Sequence, residues 1–214
     1  MNVIEAINTR HSTRAFLSQP VEKEKLNAVL EAAARTPSWA NSQPWEVFIA
    51  TGNTLEKIKN GYRKKYADKA TVAPETPRPT VWSEAAKERQ KQLRPDMMRD
   101  CGDAVQQFAG LNQAMFNAPA VIYICMDQVL SEWSLYDIGA YSQSILLAAV
   151  EHGLATIQAI TLVLYPDVIR QELKIPDNLK LTIGIAIGYA DKSNKINNFV
   201  SSRSPLRETV HFYN

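Results

Sequence analysis

Two arginines flank a hydroxyl residue near the start of the chain, in the run Arg10–Arg14 (RHSTR). Guanidinium groups donate paired hydrogen bonds that match phosphate oxygens, and a serine hydroxyl adds a neutral donor. The spacing of Arg10, Ser12 and Arg14 therefore suits a phosphate or another oxyanion. On composition alone, a solvated basic turn explains the same run equally well.

A second polar run lies between two prolines, in Pro37–Trp45 (PSWANSQPW). The prolines restrict the backbone, the residues between them supply hydrogen-bonding side chains, and Trp39 adds an aromatic plane. Such a loop suits a planar heterocycle that carries ring nitrogens and carbonyls. A rigid helix-to-strand connector, whose polar groups cap helix ends, is the alternative.

A third run, Ser201–Leu206 (SSRSPL), lies near the end of the chain. Arg203 and its hydroxyl neighbours can complete a phosphate site, although a disordered tail segment has the same composition. The sequence contains no GxSxG, Walker, GxGxxG or HExxH motif. The three histidines show no spacing for converging ligands, so we expect no metal site.

The composition limits the possible classes of protein. Lys and Arg number 24 against 22 Asp and Glu, which argues against a dedicated binder of nucleic acid or membrane surfaces. Cys101 and Cys125 form no CxxC motif, and a reducing compartment fits them best. The first residues contain no apolar run of signal-peptide length. A cytoplasmic location is therefore expected.

The positions of strands and helices follow from residue type and periodicity. Runs of β-branched, aromatic and other apolar residues predict strands at 45–50, 120–125, 154–160 and 181–189. Apolar residues at helical spacing predict a first helix capped by Asn2, a second after Pro20, the longest at 131–152, and others at 53–66, 103–115 and 166–173. The tail ends in the alternating TVHFY, which can pair as an added strand.

Alternating helices and strands indicate an α/β or α+β sandwich. We expect one domain over residues 1–214, with a variable excursion or lid at about 60–110. This part lacks the apolar content for a core of its own, since Thr71–Pro79 alone holds three prolines. Lys64, Lys65 and Arg78 either line a pocket there or are solvated.

The three polar runs, taken together, resemble the nitroreductase-like family of FMN-dependent flavoproteins, which includes oxygen-insensitive NAD(P)H nitroreductases. RHSTRAF at 10–16 is similar to an N-terminal RxSxRxF phosphate motif, and PSWANSQPW is similar to a PSxxNxQPW loop. The resemblance extends over nearly the whole chain and is weakest at 60–110. Its other matching stretches are Asn117–Pro119, Asp137–Ala140 with Gln143, Gly153–Ala159, Ile175–Asp177, Ile183–Tyr189 and Arg203–Leu206.

This resemblance implies an α+β fold with three layers, in which helices flank a central, mostly antiparallel sheet. It also implies an intertwined homodimer that exchanges its C-terminal extension and binds FMN at the interface. The FMN-binding residues that it implies are Arg10, His11, Ser12, Arg14, Pro37, Ser38, Trp39, Asn41, Gln158, Ala159 and Arg203.

The resemblance divides these residues by role. Arg10, Ser12 and Arg203 would hold the phosphate, with His11 contributing mostly its backbone, and Arg14 would lie near the pyrimidine edge of the flavin. The loop residues would come from the other subunit, with Trp39 close to the substrate. A backbone amide at Gln158 or Ala159 would face flavin N5, and no catalytic side chain is assigned.

The implied activity is a two-electron oxidoreductase with ping-pong kinetics. NADH or NADPH would be the electron donor, and nitroaromatics, quinones or similar flat electron-poor molecules would be the acceptors. Similar proteins catalyse reductive dehalogenation or enone reduction, and the Thr156 hydroxyl keeps the first of these open. A non-catalytic flavin carrier or sensor is a further alternative. The sequence does not separate NADH from NADPH or identify the physiological acceptor.

Overall fold

A computed structural model describes residues 2–213 of the chain. It contains seven α-helices and four strands among these residues, joined by turns and short 3₁₀ segments. In chain order they are α1 Val3–Thr9, α2 Lys23–Ala33, β1 Glu46–Thr51, α3 Gly52–Ala67, α4 Glu84–Cys101, α5 Phe108–Gln113, β2 Ala120–Asp127, α6 Trp133–Glu151, β3 Ala155–Ala159, α7 Pro166–Leu173 and β4 Leu179–Gly188. No helix within 2–213 combines the length and apolarity needed to cross a membrane.

The strands form one antiparallel sheet in the order β1-β2-β4-β3. β2 lies inside the sheet and is buried along almost its whole length. Its residues alternate between two apolar clusters. Val121, Tyr123 and Cys125 face one cluster with α3 and α7, whereas Ile122 and Ile124 face the other with α2 and α6. Helices therefore cover both faces, which confirms the expected α+β architecture with an antiparallel sheet.

The predicted elements are largely confirmed. The Asn2 side chain caps α1 by accepting a hydrogen bond from the Glu5 amide at 2.8 Å. Helices α3, α6 and α7 occupy the predicted stretches within two residues. The helix expected at 103–115 is wrong in its details, because a 3₁₀ segment, Gly102–Gln107, precedes the shorter α5.

The structure adds one helix that was not predicted, and a single chain does not test the pairing of the tail with a second copy. The excursion at 60–110 contains α4, an 18-residue helix that is mostly exposed and buries Asp96, Met97 and Cys101. Helix α4 was not predicted, because it is rich in charged residues and has no apolar stripe at helical spacing. The tail is not a strand within the described chain, and the Phe212 and Tyr213 side chains are 91% and 92% exposed. An alternating segment needs a partner strand, and within residues 2–213 the tail pairs with none.

A partly buried ion pair fastens the segment before α4 to the sheet. The Arg170 guanidinium donates to both carboxylate oxygens of Glu75, at 2.7 and 2.9 Å. Glu75 Oε2 also accepts from the backbone amide of Leu181 at 2.6 Å. Burial alone would raise the pKa of Glu75, but the hydrogen bonds from Arg170 and Leu181 outweigh it and hold the pKa below 4.5.

We predict that Glu75→Gln lowers the free energy of unfolding by about 1–3 kcal/mol at pH 7, because Arg170 loses its charged partner. A carboxyl group with a lowered folded pKa stabilises the fold above its unfolded pKa, and this stabilisation disappears as the pH falls through the folded value. The difference from wild type should therefore shrink below pH 4.5 in urea denaturation. Glu84→Gln, at an exposed pair with Lys87, is the control and should change little. An equal difference at pH 7 and pH 3.5 would contradict this assignment.

Candidate functional site

The segment that follows α1 lies along the open edge of β3. Ser12 forms a parallel bridge with Thr156, and the Thr13 amide donates to the Thr156 carbonyl at 2.9 Å. Further along, the Phe16 amide donates to the Phe116 carbonyl at 3.1 Å. Backbone hydrogen bonds therefore fix the path of the segment along the sheet.

Asn197 holds the middle of this segment, and the sequence analysis missed it. Its Oδ1 atom accepts from the amides of Arg14 and Ala15 at 2.7 and 3.1 Å. Its Nδ2 atom donates to the carbonyls of Ala15 and Asp191 at 2.8 and 2.9 Å. The buried side-chain amide of Asn197 thus both donates and accepts hydrogen bonds with the backbone, as the main chain of a neighbouring strand would. A single Asn in a polar stretch carries no sequence signal for such a role.

Arg14 is the most enclosed of the predicted cofactor-binding cations. Its Nη1 atom donates to the Ser12 carbonyl at 2.8 Å, and its guanidinium lies 5.0 Å from the centroid of the Phe199 ring. Burial lowers the pKa of Arg14 from its ordinary value, but a guanidinium stays charged at neutral pH. The geometry therefore provides a fixed positive charge beside the Ser12 backbone.

Arg10 and His11 line a cavity of about 630 Å³ at the end of the sheet. The cavity lies between the 10–19 segment, the last turn of α6 and the start of β3. Arg10, His11 and Lys192 supply basic groups, and no Asp or Glu is among the lining residues. The remaining lining residues are Thr9, Thr13, Leu17, Gln19, Val150, Gly153, Leu154, Ala155, Thr156, Tyr189 and Ala190. A basic cavity free of acids, with apolar walls, fits a phosphate-bearing ligand.

The Pro37–Trp45 loop is held in an irregular conformation. Ala40, Asn41 and Gln43 have φ angles of 51°, 55° and 45°, in the region that non-glycine residues rarely adopt. Ser38 Oγ accepts from the Gln43 amide at 2.9 Å, which closes the loop on itself. Such strain persists only where surrounding contacts enforce it and is concentrated at functional sites.

The same loop is anchored to α6. The Trp39 amide donates to Asp137 Oδ2 at 3.2 Å, and Asp137 itself is buried. Trp45, at the end of the loop, stacks on Tyr141 with ring centroids 4.4 Å apart. The Trp39 side chain is nevertheless 69% exposed, and Asn41 is exposed as well. The Trp39 and Asn41 side chains of the loop are therefore exposed and are not packed against their own chain.

The loop and the basic cavity contact opposite parts of α6. Asp137 binds the loop, while Val150 lines the cavity with Arg10. Thirteen residues separate them, which corresponds to about 20 Å along a helix. The structure thus separates two groups of predicted cofactor-binding residues within one chain.

Gln158 and Ala159 lie on edge strand β3, beyond the Ser12–Thr156 bridge. Gln158 is exposed and Ala159 half-buried, so this end of the strand is accessible. The Thr156 side chain is buried. Which amide here faces a ligand stays a prediction.

Arg203 lies in a different environment from Arg10. It lines a cavity of about 660 Å³ between α4 and the tail, together with Phe199, and its Nη1 atom donates to backbone and side-chain oxygens of Ser201 and to the Ser202 carbonyl. Phe199, which also lies under Arg14, connects this cavity to the 10–14 segment. Across residues 2–213 no three His, Cys, Asp or Glu side chains are grouped so as to hold a metal ion.

Comparison with known proteins agrees with this geometry. The sequence model of the Nitroreductase family matches residues 7–189. Chloronitrobenzene nitroreductase of Comamonas testosteroni is 30% identical over 220 residues, covering 97% of this chain and 95% of that protein. The crystal structure of the FMN and NADPH-dependent nitroreductase NfnB from Sphigopyxis sp. strain HMH superimposes with a TM-score of 0.91 at 27% identity, covering all of both chains. The FMN-dependent nitroreductase NfnB from Mycobacterium smegmatis, in complex with NADPH, gives 0.89 at 28% identity, again over both whole chains. The chain therefore belongs to the nitroreductase family.

Proposed function

We propose that this protein reduces nitroaromatics, quinones or similar flat, electron-poor acceptors with electrons from NAD(P)H, in a ping-pong reaction that transfers hydride. Membership of the nitroreductase family makes the chain an NAD(P)H-dependent oxidoreductase with FMN as its cofactor. The observation that carries the proposal is the basic, acid-free cavity of Arg10 and His11 beside the open end of β3. The two free, buried cysteines are consistent with a cytoplasmic location.

We keep Arg10, Ser12 and Arg203 as the proposed phosphate-binding residues for FMN, although within one chain Arg203 lines a different cavity from Arg10 and Ser12 is not among the residues that line the Arg10 cavity. The backbone of Ser12 is fixed by its bridge to Thr156, so the ligand need not order this part of the main chain. Bound FMN supplies a nitrogen atom, N5, that accepts and donates hydride. Arg14, which Phe199 and the Ser12 carbonyl hold in place, provides the fixed cation for negative charge on the pyrimidine edge.

We propose that the active protein is a homodimer, because one chain presents the parts of the site about 20 Å apart. In a twofold dimer whose two α6 helices cross, the Asp137 end of one helix approaches the Val150 end of the other. Pro37, Ser38, Trp39 and Asn41 of one subunit then meet the basic cavity of its partner. Exposed apolar side chains at Val3, Ile4, Ile7, Trp133, Tyr136, Phe212 and Tyr213 support an interface.

Trp39 is the proposed contact of the acceptor. Its ring is large, planar and exposed, so it offers a stacking surface for a flat molecule. The loop that carries it is rigid, since hydrogen bonds fix it at both Ser38 and Asp137. The acceptor would therefore be recognised by shape and stacking more than by charge. Proteins similar to this chain include a 4-nitrobenzoate reductase and a nitrobenzene nitroreductase, which supports nitroaromatics as acceptors.

The decisive test is an absorbance spectrum of the purified protein, followed by anaerobic addition of NADPH and, separately, NADH. We expect a yellow protein that bleaches with at least one nucleotide and regains its colour on addition of a quinone or nitroaromatic. Initial rates at varied donor and acceptor concentrations should give parallel double-reciprocal lines. A yellow protein that neither nucleotide bleaches would favour a flavin carrier instead.

Replacing Arg10 or Arg203 with Ala should weaken FMN binding about 10- to 100-fold, because each variant loses a charge-assisted contact worth about 1.5–3 kcal/mol. Flavin fluorescence quenching during titration of the apoprotein measures the dissociation constant. Arg63→Ala removes an exposed guanidinium on α3 and serves as the control. Unchanged affinity in both test variants would reject the assignment of the phosphate site.

Tyr136→Glu should convert the dimer into a monomer and reduce bound FMN, because a carboxylate would be buried in an apolar interface. Sedimentation velocity and the ratio of flavin to protein absorbance measure both effects. Val129→Glu, at an equally exposed apolar residue in the turn before α6, is the matched control and should change neither. A wild-type chain that sediments as a monomer with full FMN content would contradict the shared site.

A further inference from the structure

A cavity of about 560 Å³ opens beside β1, and it shares no lining residue with the Arg10 cavity. It lies between α2, the end of β1, the first turns of α3 and the residues that lead into β2. Its walls are largely apolar, and its charged lining residues are Lys23, Glu56 and Lys59. The other lining residues are Ser18, Pro20, Val21, Leu26, Asn27, Ile49, Thr51, Gly52, Leu55, Asn117, Ala118 and Pro119. The volume suits a small molecule, and the lining carries one net positive charge.

Lys59 is the unusual group in this cavity, because it is a lysine on α3 that is only 8% exposed. Its Nζ atom donates to the Ala118 carbonyl and to Glu56 Oε1, both at 2.9 Å. An ammonium carries three donors, so these two bonds leave one donor for a further acceptor. A buried cation that lines a cavity with a donor to spare favours an anionic ligand.

A ligand can displace Glu56 from its ion pair with Lys59. Its side chain is 53% exposed, and its second carboxylate oxygen already lies 4.0 Å from Arg63 Nη2. A ligand carboxylate can therefore replace Glu56 at the ammonium while Glu56 turns to Arg63. After this exchange the buried Lys59 ammonium is still paired with a carboxylate, whereas an uncharged ligand in the place of Glu56 would leave it unpaired.

The turn beside Lys59 is strained. Met115, Phe116 and Asn117 have φ angles of 50°, 60° and 59°, and the Ala118 carbonyl that Lys59 holds follows directly. Three consecutive non-glycine residues in this region cost free energy that the surroundings must supply. Strained backbone, a buried charge and a cavity thus coincide at one place, as they do at binding sites.

We propose that this cavity binds a small monocarboxylate with an apolar body, with Lys59 as the anion-binding group. The carboxylate accepts from Lys59 Nζ, and the apolar body packs against Leu26, Ile49 and Leu55, which line the cavity. The ligand carboxylate takes the place of Glu56 and keeps the Lys59 ammonium paired. The inference depends on residues of α2, β1, α3 and the 117–119 turn and not on bound flavin.

Isothermal titration of the purified, flavin-containing protein with benzoate tests the proposal, because benzoate is flat, monoanionic and not reduced by flavins. Lys59→Met keeps the aliphatic stem and removes the charge, so benzoate affinity should fall about tenfold or more. Lys57→Met, an exposed position two residues away on the same helix, is the matched control and should leave the affinity unchanged. Undiminished binding in Lys59→Met would overturn the proposal.

A second variant covers the possibility that Lys59→Met fails to fold. Val21→Trp adds bulk at the half-buried rim and keeps Lys59, and it should also abolish binding. Benzoate that binds over the flavin instead would perturb the flavin absorbance and would be insensitive to both variants, which would overturn the proposal. Binding that appears only after residues 206–214 are removed would show that a tail fills the cavity, and this too would overturn it.

Discussion

The positioning of the Arg10–Arg14 segment depends on backbone hydrogen bonds at the edge of the sheet. A cation that binds a phosphate must be fixed in space, yet its own donors must stay free for the ligand. In this structure hydrogen bonds of the main chain hold the segment in place. The Thr13 amide donates to the Thr156 carbonyl, and Asn197 Oδ1 accepts from two further backbone amides. The backbone of Ser12 and Arg14 is thereby fixed without the Ser12 hydroxyl, while the Arg14 guanidinium is held by the Ser12 carbonyl and the Phe199 ring. The Arg10–Arg14 segment is therefore positioned by its bonds to the edge of the sheet.

Helix α6 sets the distance that one chain cannot bridge. Its Asp137 end holds the Pro37–Trp45 loop and its Val150 end lines the basic cavity. A rigid helix of this length cannot bend enough to bring the two together, because every interior backbone group is already bonded. The separation is therefore a property of the fold, and it is the observation on which the proposed dimer rests.

Much of this arrangement was predictable from the sequence. The strands are β-branched runs, and α6 and α7 show clear helical spacing with Gly153 and Pro166 at their boundaries. The three polar runs are the segments in which the cofactor-binding residues were predicted, and that assignment stays a prediction. Their relation in space was not predictable, since no local pattern states that Arg10 and Arg203 line different cavities or that the loop faces away from its own chain.

Other features could not be predicted from the sequence, because packing in the folded chain and not local sequence preference determines them. Asn197 bonds four backbone groups, three of which, on Arg14 and Ala15, lie far from it in sequence, so only the folded chain shows its role. Helix α4 is mostly solvated and lacks the apolar stripe that reveals a helix. The tail has a strand pattern but finds no partner within the chain.

The turn Met115–Asn117 ends the stretch that was predicted as a helix at 103–115 and whose first part is the 3₁₀ segment Gly102–Gln107. In a continuing α-helix the Phe116 carbonyl would point along the helix axis toward an amide four residues later. Here that carbonyl must instead accept from the Phe16 amide, which belongs to the segment that carries the site. The chain satisfies this bond by passing through three left-handed residues, and Lys59 holds the next carbonyl in place. The strain is thus the consequence of joining the cofactor segment to the sheet, and the buried lysine is positioned where it can stabilise that junction.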